Sequence, residues 1–456
     1  MSNWIDSLIQ KLGARRVSTK PEILESHAKD AWFASHRPEA VVFADSTSTI
    51  SKTLQLANRY QIPVTARGAG RGYVGGCVPQ RGGIVLSLAR MNRIKELHVE
   101  DGIAVVEAGV ITLDLQQTAK KRGLFYPPDP ASLKECTLGG NVATNAGGPR
   151  CLKYGVTRHY ILGLTVVLAD GSVVKVGGRT IKNKSGFDLV SLFVGSEGML
   201  GIVSEIIVRL LPHPTHRGAL STSFATAQQA AKTVQAILQN GILPSALEIA
   251  DRFTLDSARQ HLGKSSLIPP GQAHLLVEVD GNQASVSADL KRLSQLVKQS
   301  RALQVVTART EHQCEKLWEL RRQFSQSLKA TGLTKLNEDI AIPRSRLTNL
   351  FAFAETLHRR YQIPVACFGH AGDGNIHVNL MADLTQPQVS KKLEQALDQL
   401  FDQILKWGGV ITGEHGIGLA KKRWWPKAAP RELRALHAKI KKALDPHDLL
   451  NPDKFV

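Results

Sequence analysis

Apolar residues recur along this chain with two periods, and the change between them outlines its organisation. From Pro38 to Gly70, AVVFA reads as a strand. STISKTLQLANRY then carries Ile50, Leu54 and Ala57 at helical spacing, and IPVTARG returns to strand. Ser46, Thr47 or Ser48 can cap that helix. Further strands are predicted in GGIVLSL, IAVVEAG, LTVVLADG and GIVSEIIVRLL, with glycine-rich loops between them. The proline-marked LLPHPTHRG is the first domain boundary. After it, ALSTSF, a helix, SALEIA, HLLVEVDG, a helix over 284–300 and LQVVTA give βαββαβ, the split ferredoxin-like order. A long helix containing KLWELRRQFSQSLKA follows. The order then recurs as DIAIP, a helix over 345–361, PVACFGH, NIHVNLM, a helix and GVITGEHG. At the N-terminus, Trp4, Ile5, Leu8, Ile9 and Leu12 form a helical stripe, read as a docked helix in preference to a membrane-surface one.

The expected class is therefore α+β, with an N-terminal helical segment (1–35), a glycine-rich α+β domain (36–212), an antiparallel-sheet domain of two βαββαβ units (213–430) and a terminal segment (431–456) that docks on another part of the chain. At 456 residues the chain exceeds a single core. Its 43% apolar and 21% charged content is that of a soluble globular protein. No apolar run reaches membrane-spanning length and no signal-peptide pattern opens the chain, so the cytoplasm is the expected compartment, with peripheral contact at the inner membrane face as the alternative. The five cysteines are scattered and never paired as CxxC, which argues against a disulfide framework and against iron–sulfur ligation. A net charge of +19 suits an anionic partner. With only 5% aromatic residues and no recognition motif, however, nucleic acid is not expected, and steering of small carboxylates accounts for the charge equally well.

Residues 64–76, VTARGAGRGYVGG, contain a formal GxGxxG, but CVPQRGG follows where a dinucleotide fingerprint requires a helix. What remains is a loop whose backbone N–H groups can curl around an anion, with Arg67 and Arg71 adding charge. YPPDPASLKECTLGGNVATNAGGPRCLKYG supplies a second glycine-dense loop, and LFVGSEGMLGIVSEIIVRL a third, so a long ligand with phosphates and several polar edges is expected.

In FGHAGDGNIHVNL, an Asp373-Gly374 turn would pair 371 with 376 and His370 with His377, their Cβ atoms about 5 Å apart. Such a pair can share a cation or simply be solvated. Ile376, Val378 and Leu380 alternate with His377 and Asn379, giving an apolar core face and a His/Asn face. GVITGEHGIG adds Glu414 and His415 at the end of a strand of the same unit.

Taken together, RGAGRGYVGG, PPDPASLKECTLGGNVATNAGGPRCLKYG, SGFDLVSLFVGSEGMLGIV, FGHAGDGNIH and GEHG resemble the FAD-linked oxidase family, whose FAD domain is of the vanillyl-alcohol-oxidase (PCMH) type with two α+β subdomains. Within it, the chain resembles the glycolate oxidase catalytic subunit and the D-lactate and D-2-hydroxyglutarate dehydrogenases. The resemblance implies pyrophosphate contacts from Arg67, Gly68, Ala69, Gly70, Arg71 and Gly72. It also implies flavin and ribityl contacts from Asp129, Thr137, Gly140, Asn141, Thr144 and Asn145, and further cofactor contacts from Glu197, Ile202 and Asn451. Arg71 stands where members often carry Thr. No His lies between 64 and 97, so FAD is expected to be non-covalent.

The resemblance further implies His370, His377 and Glu414 as ligands of a divalent cation, Zn²⁺ or Mn²⁺, with His415 beside it as the base. Imidazole suits that role because it titrates near neutrality. Arg321, in KLWELRRQF, is the expected carboxylate clamp because guanidinium binds carboxylate bidentately, and Lys335 is a weaker candidate. Asn379 completes the catalytic set. The implied reaction is oxidation of a D-2-hydroxy acid such as glycolate or D-lactate, with electrons passing to an iron–sulfur subunit, a quinone or O₂. A homodimer is compatible with this reading. The alternatives are an oxidase or alkyl-transfer flavoenzyme on the same fold, and a basic anion- or nucleic-acid-binding protein without catalysis.

Overall fold

A computed structural model describes residues 3–263 and 268–456. It forms two compact units. The first comprises Met1–Gly147, Val156–His213 and Glu414–Val456; the second comprises Gly148–Gly155 and Pro214–Gly413. The second unit thus takes in a short excursion at Gly148–Gly155 and closes at Gly413, ahead of the expected boundary near 430.

In the first unit, β1 (Val17–Ser18), β2 (Ala40–Phe43), β3 (Val64–Arg67) and β4 (Ile84–Ser87) form a sheet in the order β1-β2-β4-β3, with β2, β4 and β3 parallel. Helix Thr47–Tyr60 crosses from β2 to β3. Ser46 is its cap, Oγ accepting from Thr49 N at 3.2 Å. Its Ile50, Leu54 and Ala57 share a core with Leu8 and Leu12, so the N-terminal stripe belongs to a docked helix. The second sheet is antiparallel. It contains β5 (Ile94–His98), β6 (Ile103–Glu107), β8 (Ile161–Val167), β9 (Val173–Gly177) and β10 (Ile202–Arg209), in the order β5-β6-β10-β8-β9, while β7 (Leu124–Phe125) pairs with β11 (Leu211–Pro212). The edge strands β5 and β9 escape the sequence reading because edges carry charge, which blurs the period-2 signal.

The C-terminal segment returns to β3 of this unit. Val64 N donates to Leu449 O and Asn451 N to Val64 O, each at 2.8 Å. Arg81 fastens the same segment through Asp448 and Asp453.

The second unit is built on one seven-stranded antiparallel sheet, order β15-β12-β14-β13-β17-β18-β16. Its strands are β12 (His216–Phe224), β13 (Ala246–Ala250), β14 (Ala273–Gly281), β15 (Gln304–Ala308), β16 (Thr334–Ala341), β17 (Val365–His370) and β18 (Asn375–Ala382). The first four strands have ferredoxin-like order, and β16, β17 and β18 repeat three-quarters of it. The fourth strand expected in GVITGEHG is reduced to a single bridge, Ala341 with Val410. Past that bridge, Thr412 and Gly413 bond to the Asp339 side chain instead of to strand backbone, which ends the ladder. Helix Arg252–Leu262, capped by Asp251, is an addition between β13 and β14 that the apolar pattern does not announce.

Helices cover both faces of this sheet. Helices Ala227–Gln239, Gln283–Gln299, Leu347–Tyr361 and Val389–Lys406 pack on it and on one another, and Gly218 turns to the Gln283–Gln299 helix. On the other face, Leu320, Phe324 and Leu328 of helix Glu311–Lys329, with Leu255 and Ala258, close over Ala250, Ala366, Phe368 and Met381. The His/Asn face of β18 is therefore as buried as its apolar face.

Candidate active site

The β17–β18 hairpin has a longer loop than its Asp-Gly dipeptide suggests. The register pairs Phe368 with His377 and His370 with Asn375, two residues away from direct His370–His377 pairing. Neighbouring strands hold the loop open: Gly372 N donates to Leu247 O, and Ile342 N donates to Gly374 O. Gly374 turns with φ +86°, a left-handed value that glycine adopts without strain. A shift of two residues preserves the face, because side chains alternate with period two. The histidines are diagonal neighbours with ring centroids 5.5 Å apart and planes at 82°.

Directly across the sheet from His370 stands Glu248 of β13, with 1% of its surface exposed. His370 Nδ1 lies 2.6 Å from Glu248 Oε1, and Arg321 Nε donates to Glu248 Oε2 at 2.5 Å. Left alone, a buried carboxylate would cost several kcal/mol. Burial pushes the Glu248 carboxyl up, but His370 and Arg321 beside it, each through a hydrogen bond, outweigh it and hold it down at about 2. Arg321 also lies over the Phe368 ring, 4.9 Å from its centroid. Its terminal nitrogens have no protein acceptor among the described residues.

Lys335 of β16 donates to Ser325 Oγ at 2.7 Å. Burial, followed by the charges of Lys329 and Arg321, brings its ammonium down to about 8. Asn379 is fully buried, and its amide donates to Ala366 O and His377 O, so it braces the hairpin backbone.

Asp339, opposite His377 on β16, fixes the segment that leads to GEHG. Its Oδ1 accepts from Asn375 Nδ2 at 2.6 Å, and its Oδ2 accepts from Thr412 Oγ1 and Gly413 N at 2.9 Å each. Glu414 is joined by a peptide bond to Gly413. His370 and His377 each offer an imidazole nitrogen, and Glu414 offers a carboxylate oxygen. Two imidazoles and a carboxylate are a donor set that suits a borderline divalent cation, so these residues fit the expected metal. His415, the next residue, stacks on Tyr73 with ring centroids 5.2 Å apart.

The glycine-rich loops converge within the first unit. A Cβ on Gly68 would overlap Thr137 Oγ1, so the first loop can lie against the second only as glycine. Thr137 caps helix Leu138–Thr144 by accepting from Gly140 N, and Thr144 Oγ1 donates to Gly140 O. Asn141 Nδ2 donates to Thr112 Oγ1, and Asn145 Oδ1 accepts from Arg158 N. Glu197 joins the third loop to the second through its amide to Ala143 O, while its buried carboxylate accepts from Ile417 N and Gly418 N. Burial pushes that carboxyl up despite the two amides. Asn451 Nδ2 ties Gly76 O to Glu197 O. Ile202 lies in the core beside Leu86 and Val167.

Both loop arginines have protein partners, and the Arg67 guanidinium lies against Gly70. Arg67 Nη1 donates to Lys29 O and Cys77, and Arg71 pairs with Glu135 at 2.7 Å. The amides from Gly68 to Val74, in contrast, meet no protein acceptor among the described residues. A run of unpaired N–H groups with one left-handed glycine inside it, Gly70 at φ +66°, can curl around an anion.

Two family profiles match in order: "FAD binding domain" over residues 38–177 and "FAD linked oxidases, C-terminal domain" over residues 213–455, more than half of the chain. The chain belongs to the FAD-linked oxidases. It is similar to the glycolate oxidase subunit GlcD of Bacillus subtilis, with 40% identity covering 92% of this chain and 89% of that protein. It is also similar to the D-lactate dehydrogenases of Anaerostipes hadrus (34%, covering 98% and 96%) and Archaeoglobus fulgidus (32%, covering 100% and 99%). Among solved structures, 4-ethylphenol oxidase from Gulosibacter chungangensis matches with TM-score 0.80 at 19% identity over 99% and 96% of the two chains, and p-cresol methylhydroxylase with 0.76 at 19% over 98% and 95%. At such identity the likeness is one of fold. This FAD-linked oxidase is thus an oxidoreductase with a PCMH-type FAD-binding fold, an antiparallel-sheet domain and FAD as its cofactor.

Sequence reasoning missed Glu248, Asp339, Asn375, Ser325 and Tyr73 in this FAD-linked oxidase. The first two had a signal. Each is a carboxylate inside an apolar strand, SALEIA and NEDIAIP, where burial demands a partner.

Proposed function

We propose that this oxidase converts a D-2-hydroxy acid to the 2-oxo acid. The observation that carries the reading is the shared carboxylate of Glu248, which puts an imidazole suited to a cation and a guanidinium with open nitrogens on the same residue. The names of the relatives, glycolate oxidase subunit and D-lactate dehydrogenase, point to the same substrate class.

Bound FAD supplies a two-electron acceptor for the α-hydride. Arg321 binds the substrate carboxylate through its terminal nitrogens, with Lys335 adding positive charge nearby. His370, His377 and Glu414 would hold a divalent cation, Zn²⁺ or Mn²⁺, which at such a site acidifies a hydroxyl group. His415 takes the hydroxyl proton as the α C–H bond breaks and the carbonyl forms. Burial of the Glu248, Asn379 and Asp339 face excludes water from the carboxylate clamp. Electrons then leave for a separate acceptor, an iron–sulfur subunit or a quinone.

Anaerobic addition of glycolate, D-lactate or D-2-hydroxyglutarate to the FAD-loaded protein is expected to bleach the flavin with one of them, and chelation is expected to abolish bleaching. Bleaching that survives complete metal removal would end the cation assignment, and a protein without flavin absorbance would end the enzyme reading. Slow reoxidation in air, accelerated by an added quinone, is the expected sign of a dedicated acceptor.

A further inference from the structure

We propose that Glu248 is a positioning residue that sets the two halves of the substrate site at once, orienting His370 toward the cation and Arg321 toward the substrate carboxylate. The inference rests on the cation and hydroxy-acid reading above, and adds to it the group that keeps cation and clamp in register.

Three observations carry it. Glu248 and His370 are directly paired residues of adjacent strands, so backbone hydrogen bonding fixes the distance between them. Each oxygen of Glu248 has its own partner, Oε1 with His370 Nδ1 and Oε2 with Arg321 Nε, and the side chain is almost wholly buried, where no water replaces a lost partner. Arg321 is engaged through Nε only. A neutral imidazole that donates from Nδ1 keeps its lone pair on Nε2, and a carboxylate on the far nitrogen is the support that orients metal-binding histidines. A guanidinium held through Nε keeps both terminal nitrogens for a second carboxylate. One buried carboxylate thus selects the tautomer of a ligand and the direction of a clamp, and ties their separation to that of its own two oxygens. That short tie suits a hydroxyl and a carboxylate on adjacent carbons.

Glutamine at this position offers one acceptor oxygen and an NH₂ group, so it can satisfy only one of the two donors, while aspartate keeps the charge but falls one methylene short. The test uses FAD-loaded protein stripped of metal and titrated with Mn²⁺, followed by the disappearance of the free-ion EPR signal. Glu248→Gln is expected to weaken Mn²⁺ binding about 10- to 100-fold and to raise KM for the hydroxy acid, with flavin absorbance retained and Glu248→Asp recovering part of the loss. A flavin-loaded Glu248→Gln that binds Mn²⁺ like the wild type would overturn the positioning role while leaving the cation site standing. Wild-type protein that binds no Mn²⁺ would overturn the cation reading itself. A second measurement needs no variant: in Zn²⁺-loaded wild type labelled with ¹⁵N-histidine, His370 is expected to carry its proton on Nδ1. A proton on Nε2 would overturn the proposal whether or not the variants fold.

Discussion

Arg321 and Gly413 each shape the site through one local property, a planar fork in the first and the absence of a Cβ in the second. Arg321 uses one nitrogen for Glu248 and leaves its planar fork open. Lysine can keep the ion pair but offers no fork. Arg321→Lys is therefore expected to raise KM for the hydroxy acid about 10- to 100-fold, the loss of one charge-assisted hydrogen bond, with a smaller change in kcat, as steady-state kinetics would measure. Gly413 matters for space: a Cβ there would overlap Asn375 Nδ2 and come within 3.0 Å of Asp339 Oδ1. Gly413→Ala is expected to displace the turn before Glu414 and lower metal affinity at least about 10-fold, read by metal titration, because ligand geometry tolerates little displacement.

At the scale of elements, helix Glu311–Lys329 carries Arg321, Ser325 and the cover over the polar face of the sheet. It begins with a capping box in which Thr310 Oγ1 accepts from Gln313 N at 3.3 Å and Gln313 Oε1 accepts from Thr310 N at 3.3 Å. Thr310→Ala is expected to lower stability by about 1 kcal/mol in urea denaturation, without changing KM, since the cap lies about three turns from Arg321. The β17–β18 hairpin makes the complementary point. Its register is decided by bonds to Leu247 and Ile342 on other parts of the unit, and the dipeptide at its tip yields to them.

At the scale of the whole molecule, the second unit places a neutral imidazole deep in its sheet. His274 is fully buried, with Ser221 Oγ 2.8 Å from Nε2 and the Phe324 ring against it. Burial first, and then the Arg321 charge, bring it down to about 4 from the ordinary 6.5. The unfolded chain therefore binds a proton that the folded chain refuses between those two values. The stability this residue contributes is complete above pH 6.5 and is lost as pH falls toward 4, up to about 3 kcal/mol. Urea midpoints measured across that range are expected to fall less steeply for His274→Gln than for the wild type.

The apolar periods by themselves determined the six main predicted strands of the first unit, the ferredoxin-like order of the second and the face shared by His370 and His377, because burial acts through the alternation of side chains. The glycine-rich loops and the GHAGDGNIH and GEHG motifs gave the family, since their residue types are dictated by close backbone approach and by ligand chemistry. Local pattern did not determine the edge strands, the helix Arg252–Leu262, the lost fourth strand, or the two-residue shift in the hairpin. Nor could it supply Glu248 or Asp339 as partners of residues more than seventy positions away in the chain. Those pairings exist only where the sheet brings distant strands side by side, and a buried carboxylate has no defined role until the fold decides which cations it must share.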